Sequence, residues 1–394
     1  MGILINKKEG APVLTNIAKL SVIGFLVSIS SALVSTIWAL YIDSFVHNEA
    51  IVGFISSGLT LVGFISYFLF IPLIEKNSKS KIYAYSLILF AVAYLLFAIN
   101  TKFYFFVILA FLITIGYTFK VTSFGIIIRD KSKDTTLARN EGIMYTILNC
   151  AWVIGPLIAG FIANSYGISI VFALSAIFIF LAFLMFSFSK INDANISKKS
   201  HRDVIKNFAD FFKNNQRKLS YLISGGVNLW WGFIYLFVPL HIVRSGLNNL
   251  WVGYFLFAVA VPLILTEYKF SRLTSKIGHK KIFQIGYLSV AIISLFCFFI
   301  SNIYIMLGLL VFASFGMAML EPTTETHFFK ILKKKSDENR FYGPYNTSID
   351  ANGFIGRISG AFVILFFPFQ YLFLLYALFM LAMFFISSKI KNIF

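Results

Sequence analysis

Twelve apolar runs leave this chain few ways to fold. They occupy residues 17–42, 51–74, 82–99, 103–128, 142–163, 168–188, 219–243, 250–268, 282–300, 303–329, 345–367 and 371–386. At about 1.5 Å of rise per residue, runs of this length cover a hydrocarbon core of ~30 Å as helices. Strands of a membrane barrel would show only about ten residues of alternating polarity, so helices follow from run length. With 59% hydrophobic and 13% charged residues, 394 residues could not clothe a soluble globule in polar surface. A soluble α/β enzyme is excluded on that ground, and an all-α membrane protein is expected.

The charges say which way the runs are threaded. The chain carries 34 Lys and Arg against 16 Asp and Glu, a net +18. All but four of the basic residues fall in seven segments on one side of the bilayer if every run spans it, Lys19 at the start of the first run being counted with the amino-terminal segment. Lys102 and Arg244 lie on the other side, and Lys120 and Arg357 lie inside runs. Such a bias is the positive-inside pattern, and it predicts an inner or plasma membrane protein with both termini cytoplasmic. A nucleic-acid binder would gather its basic residues on one face, whereas these recur in short turns, so no nucleic-acid partner is expected. Cys150 and Cys297 fall inside runs, where a disulfide framework has no role. The first run is read as a span, because it is too long for a leader's apolar region and no small-residue cleavage site follows it.

The longest polar stretch, 190–218, divides the runs six and six, giving three parts: residues 1–189, a cytoplasmic linker at 190–218, and residues 219–394. Within the linker Val204, Ile205, Phe208, Phe211 and Phe212 recur at helical spacing among Arg202, Lys206, Lys213 and Arg217. That pattern fits a short amphipathic helix, lying either on the headgroups or free in solvent. The halves repeat. Residues 71–81 (IPLIEKNSKSK) follow the second run and residues 271–281 (SRLTSKIGHKK) follow the eighth. Arg139 precedes Gly142 by three residues after the fourth run, as Arg340 precedes Gly343 after the tenth. An offset of about 200 residues in each case points to duplicated six-helix units.

On these features the chain resembles the major facilitator superfamily of secondary transporters over nearly its whole length. That family carries a glycine-containing basic turn after its second helix, often repeated after the eighth. Lys276, Gly278, His279, Lys280 and Lys281 match the second copy, with Ser275 in place of the acid; Glu75, Lys76, Lys79 and Lys81 match the first, with Ser78 in place of the glycine. The resemblance implies that Glu75 faces the start of the eleventh helix and that the basic residues pair with Asp130, latching the outward-open state. Gly142, Ala151, Gly155, Pro156, Ala159 and Gly160 occupy the places of a glycine series found in the fifth helix of the family's antiporters. Small residues bring helices close and Pro156 removes a backbone donor, so the helix can bend there; ordinary tight packing is the alternative reading. The resemblance also implies twelve helices in two pseudo-symmetric bundles, with the first, fourth, seventh and tenth around a central pathway.

Ionisable groups inside the spans carry the expected mechanism. Each costs roughly 2.5–3.5 kcal/mol if it faces lipid near the bilayer centre. Lys120 lies nine residues before Arg129, about 13 Å deep, and Glu321 lies at the same depth before Lys330. Glu325 follows one turn later. Asp350 and Arg357 share a helix face about 10 Å apart, too far for a direct pair. Glu321, followed by Pro322, is the first candidate for the proton-coupling acid and Asp350 the rival. The alternative is static pairing, Asp350 with Lys120 or Arg357 with Glu321. Glu141 and Asp43 are read as span-end residues.

Uncharged polar residues extend the candidate cavity: Ser28, Ser31, Ser35 and Trp38 along the first span, Asn228, Trp231 and Tyr235 along the seventh, with Tyr117, Asn149 and Trp152 beside them. The third, sixth, ninth and twelfth runs hold no internal charge and read as lipid-facing scaffold. The five histidines are scattered among ends and loops without metal-ligand spacing, and no phosphate-binding loop occurs, so no catalytic centre, metal or cofactor is expected. The sequence thus predicts a monomeric transporter in the lipid bilayer, exporting small amphipathic or hydrophobic molecules by alternating access driven by protons. A proton symporter importing a small polar solute is the alternative, as is a lipid flippase or a non-transporting sensor on the same scaffold.

Overall fold

The computed structural model describes residues 5–8, 11–132, 137–189, 191, 204–332 and 335–391. Twelve of its helices are long and apolar enough to cross a membrane. A short antiparallel ribbon, β1 (Ile5–Lys8) and β2 (Ala11–Leu14), precedes them, with Ile5 opposite Leu14. The first six spans are α1 (Asn16–Val46), α2 (Glu49–Lys76), α3 (Lys79–Ile99), α4 (Phe103–Asp130), α5 (Leu137–Tyr166) and α6 (Ile168–Phe188). The linker supplies α7 (Val204–Lys213). The later spans are α8 (Asn215–Arg244), α9 (Asn249–Ile277), α10 (His279–Phe298), α11 (Ile303–Ile331), α12 (Lys335–Asn346) with α13 (Ser348–Phe366), and α14 (Gln370–Ser387).

Two spans differ from their apolar runs. The eighth continues as helix to Ile277, so Lys269, Arg272 and Lys276 are helical. Long basic side chains can lie along the apolar surface while their heads reach water; the Arg272 guanidinium sits 5.8 Å from the centre of the Tyr268 ring. The eleventh run is interrupted at Thr347, between α12 and α13. Pro344 lies just before the break, and the Thr347 hydroxyl donates to the Pro344 carbonyl at 2.7 Å, satisfying an acceptor that a continuous helix would have used.

The repeated basic turns start their next helices by two devices. In the first, Ser78 caps α3, its side chain accepting from the Lys81 backbone N–H at 3.2 Å. In the second, Gly278 stands at the same place with φ 86° and ψ 154°, a conformation closed to residues with a Cβ. Ser78, with φ −64°, needs no glycine.

The described chain forms two compact units, one of residues 1–41 and 65–201, the other of residues 42–64 and 202–394. In the first, an aromatic cluster ties the helices together: Tyr41 meets Phe172 at 4.6 Å between ring centres, and Phe97 meets Phe172 at 5.3 Å. The Tyr41 hydroxyl donates to the Phe97 carbonyl at 3.0 Å, so the buried phenol is satisfied. In the second, α8 is the most enclosed span, 72% buried against 33% for α9. The exposed faces of α3, α6, α10 and α14 carry Leu, Ile, Phe and Tyr at helical intervals, such as Ile170, Ile177 and Leu181 on α6. This suits a surface against acyl chains.

The linker helix makes a contact that neither expected setting included. Phe211 of α7 is fully buried in a cluster with Tyr221, Phe328, Phe341 and Tyr345, so α7 is docked on the basic end of the second unit. Arg217 donates to the carbonyls of Asp210 and Phe211, capping the end of α7. Arg340 of α12 holds Asn207 at 2.9 Å and pairs with Asp210. An aromatic pocket offers Phe211 more than headgroups or water would. Ile205 and Phe212 stay exposed. Arg202 lies outside the described residues.

Two expectations follow. Gly278→Val should destabilise the purified protein by about 1–3 kcal/mol in a thermal-unfolding assay, whereas Ser78→Gly should have a small effect. The Lys213 ammonium, then Arg340, hold the Asp210 carboxyl below the usual carboxylate range. A carboxyl depressed in the folded state stabilises above its unfolded pKa, about 3.9, and loses that contribution as pH falls through its folded value. Limited proteolysis within residues 204–218 should therefore be slow at neutral pH and quicken below about pH 4, and Asp210→Asn should quicken it at neutral pH.

Candidate functional site

The charged groups inside the spans are held in different ways. Lys120 of α4 is only 4% exposed, its ammonium 4.1 Å from the centre of the Phe90 ring and 5.3 Å from that of Tyr117. Aromatic faces thus supply part of the stabilisation that water would give a buried cation. Asp350 sits in the first turn of α13, where the helix dipole favours an anion. It feels the charge of Arg357 two turns on. Arg357 donates through Nη1 to the Thr60 hydroxyl of α2. Among the described residues, no ion pair joins Lys120, Glu321, Asp350 or Arg357 to another side chain.

Glu321 stays accessible although it lies ten residues, about 15 Å, from the basic end of α11. Its electrostatic neighbours are Glu267 of α9, Glu325 one turn along α11, and Trp231 and Tyr235 of α8. Trp231 and Tyr235 lie 5.9 Å apart. Pro322 follows Glu321 without ending the helix. Glu325 accepts from the Tyr342 hydroxyl at 2.8 Å, so α12 reaches it.

The polar stripe of α1 divides. Ser28 is buried, and Ser31 and Ser35 are half-buried. Trp38 packs into the aromatic cluster, 5.7 Å from Phe97 and 5.8 Å from Phe106, which makes it part of the core. Asn228 of α8 donates to the Ser224 carbonyl of its own helix at 2.9 Å. Tyr117 and Asn149 are exposed and Trp152 is half-buried. At the basic ends, Lys76, Lys81, Asp130, Lys276 and Lys281 are exposed, Lys79 is buried and Lys280 is half-buried. The side chains of Glu75 and Arg139, and the surroundings of Gly142, lie outside what is described. Gly155 faces α1, where a Cβ would come 2.5 Å from that of Ala32. Pro156 beside it lies inside α5, and Gly160 is buried one turn on.

Several residues come into play that the run pattern did not single out. Asp43, read as a mere span end, accepts from the Arg244 guanidinium at 2.8 and 3.1 Å, and Glu49 lies 3.9 Å from the same group. These join the start of α2 and the span before it to the end of α8. Glu267 was legible as an acid inside the eighth run. Thr60 gave no signal, since a threonine in an apolar helix usually bonds its own backbone. The histidines are less scattered than their spacing suggests: His279 and His327 are both buried, with ring centres 5.7 Å apart. Among the described residues no group of three or more His, Cys, Asp or Glu side chains could hold a metal ion.

Comparison with known proteins gives a consistent result. The sequence profile of the Major Facilitator Superfamily matches residues 20–267 and 257–390. An uncharacterised MFS-type transporter of Methanocaldococcus jannaschii is 24% identical over 238 residues, 58% of this chain and 60% of that protein. The staphylopine export protein of Staphylococcus aureus is 27% identical over 209 residues, 50% of this chain and 52% of that protein. The matched regions thus span between half and two-thirds of these curated relatives. Solved structures share the fold: the nucleoside transporter NupG superposes with a TM-score of 0.76 at 13% identity, covering 96% of this chain and 100% of that one. A POT family transporter in complex with 5-aminolevulinic acid gives 0.77 at 11% identity, covering 96% of each.

The approach of α5 to α1 can be tested directly. Gly155→Val should force Ala32 away and cost about 1–3 kcal/mol in thermal stability. Gly125→Val, at a glycine of α4 with nothing within 4 Å of its missing Cβ, is the control and should stay near wild type.

Proposed function

The chain belongs to the Major Facilitator Superfamily and is a multi-pass membrane transporter, and we propose that it exports small amphipathic molecules by alternating access, driven by protons. The observation that carries this reading is Glu321, a carboxylate deep in a span, accessible, and without a cation at ion-pair distance among the described residues. Such a group can take up a proton in one conformation and release it in the other, because protonation changes the cost of enclosing it in a low-dielectric interior. One charge moved through 100 mV supplies about 2.3 kcal/mol. Export is supported by the Gly155–Pro156 segment of α5, closely packed on α1, and by likeness to a protein named for export. The bias of basic residues supports placing the termini and the linker in the cytoplasm of an inner or plasma membrane.

Proteoliposomes with an imposed pH gradient and a fluorescent amphipathic dye test the reading. Wild type should move dye against its gradient while protons run down theirs. Glu321→Gln should let dye equilibrate while uncoupling it from the pH gradient, and Asp350→Asn should retain coupling. Undiminished coupling in Glu321→Gln would remove this acid from the mechanism.

A further inference from the structure

Within the second unit, opposite charges flank one step of α8. Gly232 faces Arg357: a Cβ built there would lie 3.9 Å from the guanidinium Nε. The preceding residue, Trp231, borders Glu321, with Glu267 and Glu325 close by. Adjacent residues leave a helix about 100° apart, so the cationic and the acidic group lie on different sides of the same helix turn, separated on the order of a helix width, ~10 Å.

Arg357 has donors to spare. A guanidinium presents five N–H groups in a fixed fork. Its hydrogen bond is through Nη1 to Thr60, and its Nε is buried with no acceptor among the described residues. The Tyr376 hydroxyl, a neighbour of this charge, donates instead to the Gly356 carbonyl at 3.0 Å. Asp350 lies beyond ion-pair distance. A buried donor left unmatched is costly, and a carboxylate accepting bidentately is the ligand that suits a guanidinium fork best. The glycine at 232 leaves room beside it. Across the turn, Glu321 with the Trp231 and Tyr235 rings forms the complementary surface: a carboxylate and aromatic faces, which together suit an ammonium group.

We infer that the transported molecule is a zwitterion, held with its carboxylate on Arg357 and its ammonium on Glu321, Trp231 and Tyr235, on either side of the Trp231–Gly232 step. This rests on the transporter reading above and names the substrate class for the same acid. Glu321 then has two duties: an arriving ammonium and a proton compete for one carboxylate, so binding of the cationic end displaces the proton. The two ends need not be loaded together, because each has its own anchor. Thr60 orients the guanidinium and is a positioning residue.

Equilibrium binding to the full chain in lipid nanodiscs, at one pH and with no gradient, tests this separately from coupling. The probes are ω-amino carboxylates such as ε-aminocaproate, with matched caproate and hexylamine. The amino carboxylates should bind about tenfold or more tightly than either single-charge analogue, with an optimum in chain length. Arg357→Lys keeps the charge but loses the fork; it should weaken ε-aminocaproate and caproate by about tenfold and leave hexylamine unchanged. Glu321→Gln should do the reverse. Gly232→Ala, a smaller insult to folding, should shift the preferred chain length. Equal binding of all three probes, or a loss in Arg357→Lys spread evenly over them, overturns the proposal and leaves Arg357 as a tie between helices. Discrimination that persists while dye flux ignores the pH gradient leaves it standing and sinks only the proton-coupled reading.

Discussion

A bilayer interior offers backbone groups no water, and most of this molecule follows from that. Every span must satisfy its own N–H and C=O groups as helix, and every charge within a span needs protein or an aqueous cavity around it. Lys120 meets the demand with the Phe90 and Tyr117 rings, Asp350 with a helix start, and Arg357 with the Thr60 hydroxyl. Glu321 meets it by remaining accessible among polar and aromatic neighbours. Four groups thus have four solutions.

Close approach of helices makes those solutions possible. Without a hydrophobic drive between segments in lipid, small residues set the contacts. Gly53 of α2 rests on Ala361 of α13, where a Cβ would come within 2.7 Å, and this contact brings Thr60 within reach of Arg357 two turns further along α2. Gly226 of α8 accommodates Tyr287 and Met383 in the same manner, and the Tyr287 hydroxyl donates to the Ile223 carbonyl. The enclosure of α8 therefore comes from its small residues as much as from its apolar ones. Its largest buried side chain, Trp230, points away from the Trp231 face.

Much of the fold was legible because apolar run length and basic turns are strong, local signals. The spans at 103–128 and 168–188 begin where the runs begin. What escaped was set by contacts distant in sequence. Phe211 reads like Phe208 or Phe212 in a helical pattern, and only the pocket formed by Tyr221, Phe328, Phe341 and Tyr345 selects it. Asp43 and Arg244 lie 201 residues apart, and each alone looks like an ordinary span end. Glu267 differs in kind: it lies one residue before the end of the eighth run at 268, and nothing in the run pattern singled it out. The helix in fact continues to Ile277.

The two ends of the second unit are secured by interactions of unequal strength, and the inequality bears on how such a transporter can move. At the basic end α7 is held by Phe211, fully buried among aromatic rings; removing a buried phenylalanine typically costs about 3–5 kcal/mol. At the opposite end the start of α2 is held to α8 by Arg244, whose side chain is 42% exposed, on Asp43 and Glu49, whose side chains are 17% and 16% exposed. Exposed ion pairs contribute about 0–1 kcal/mol each. A tie of that size yields to thermal fluctuation or to a modest difference in ligand binding between two states, whereas the aromatic dock does not. The start of α2 also rests on the Gly53–Ala361 contact, so salt weakens only part of its hold, since screening acts on the ion pairs and leaves packed groups untouched.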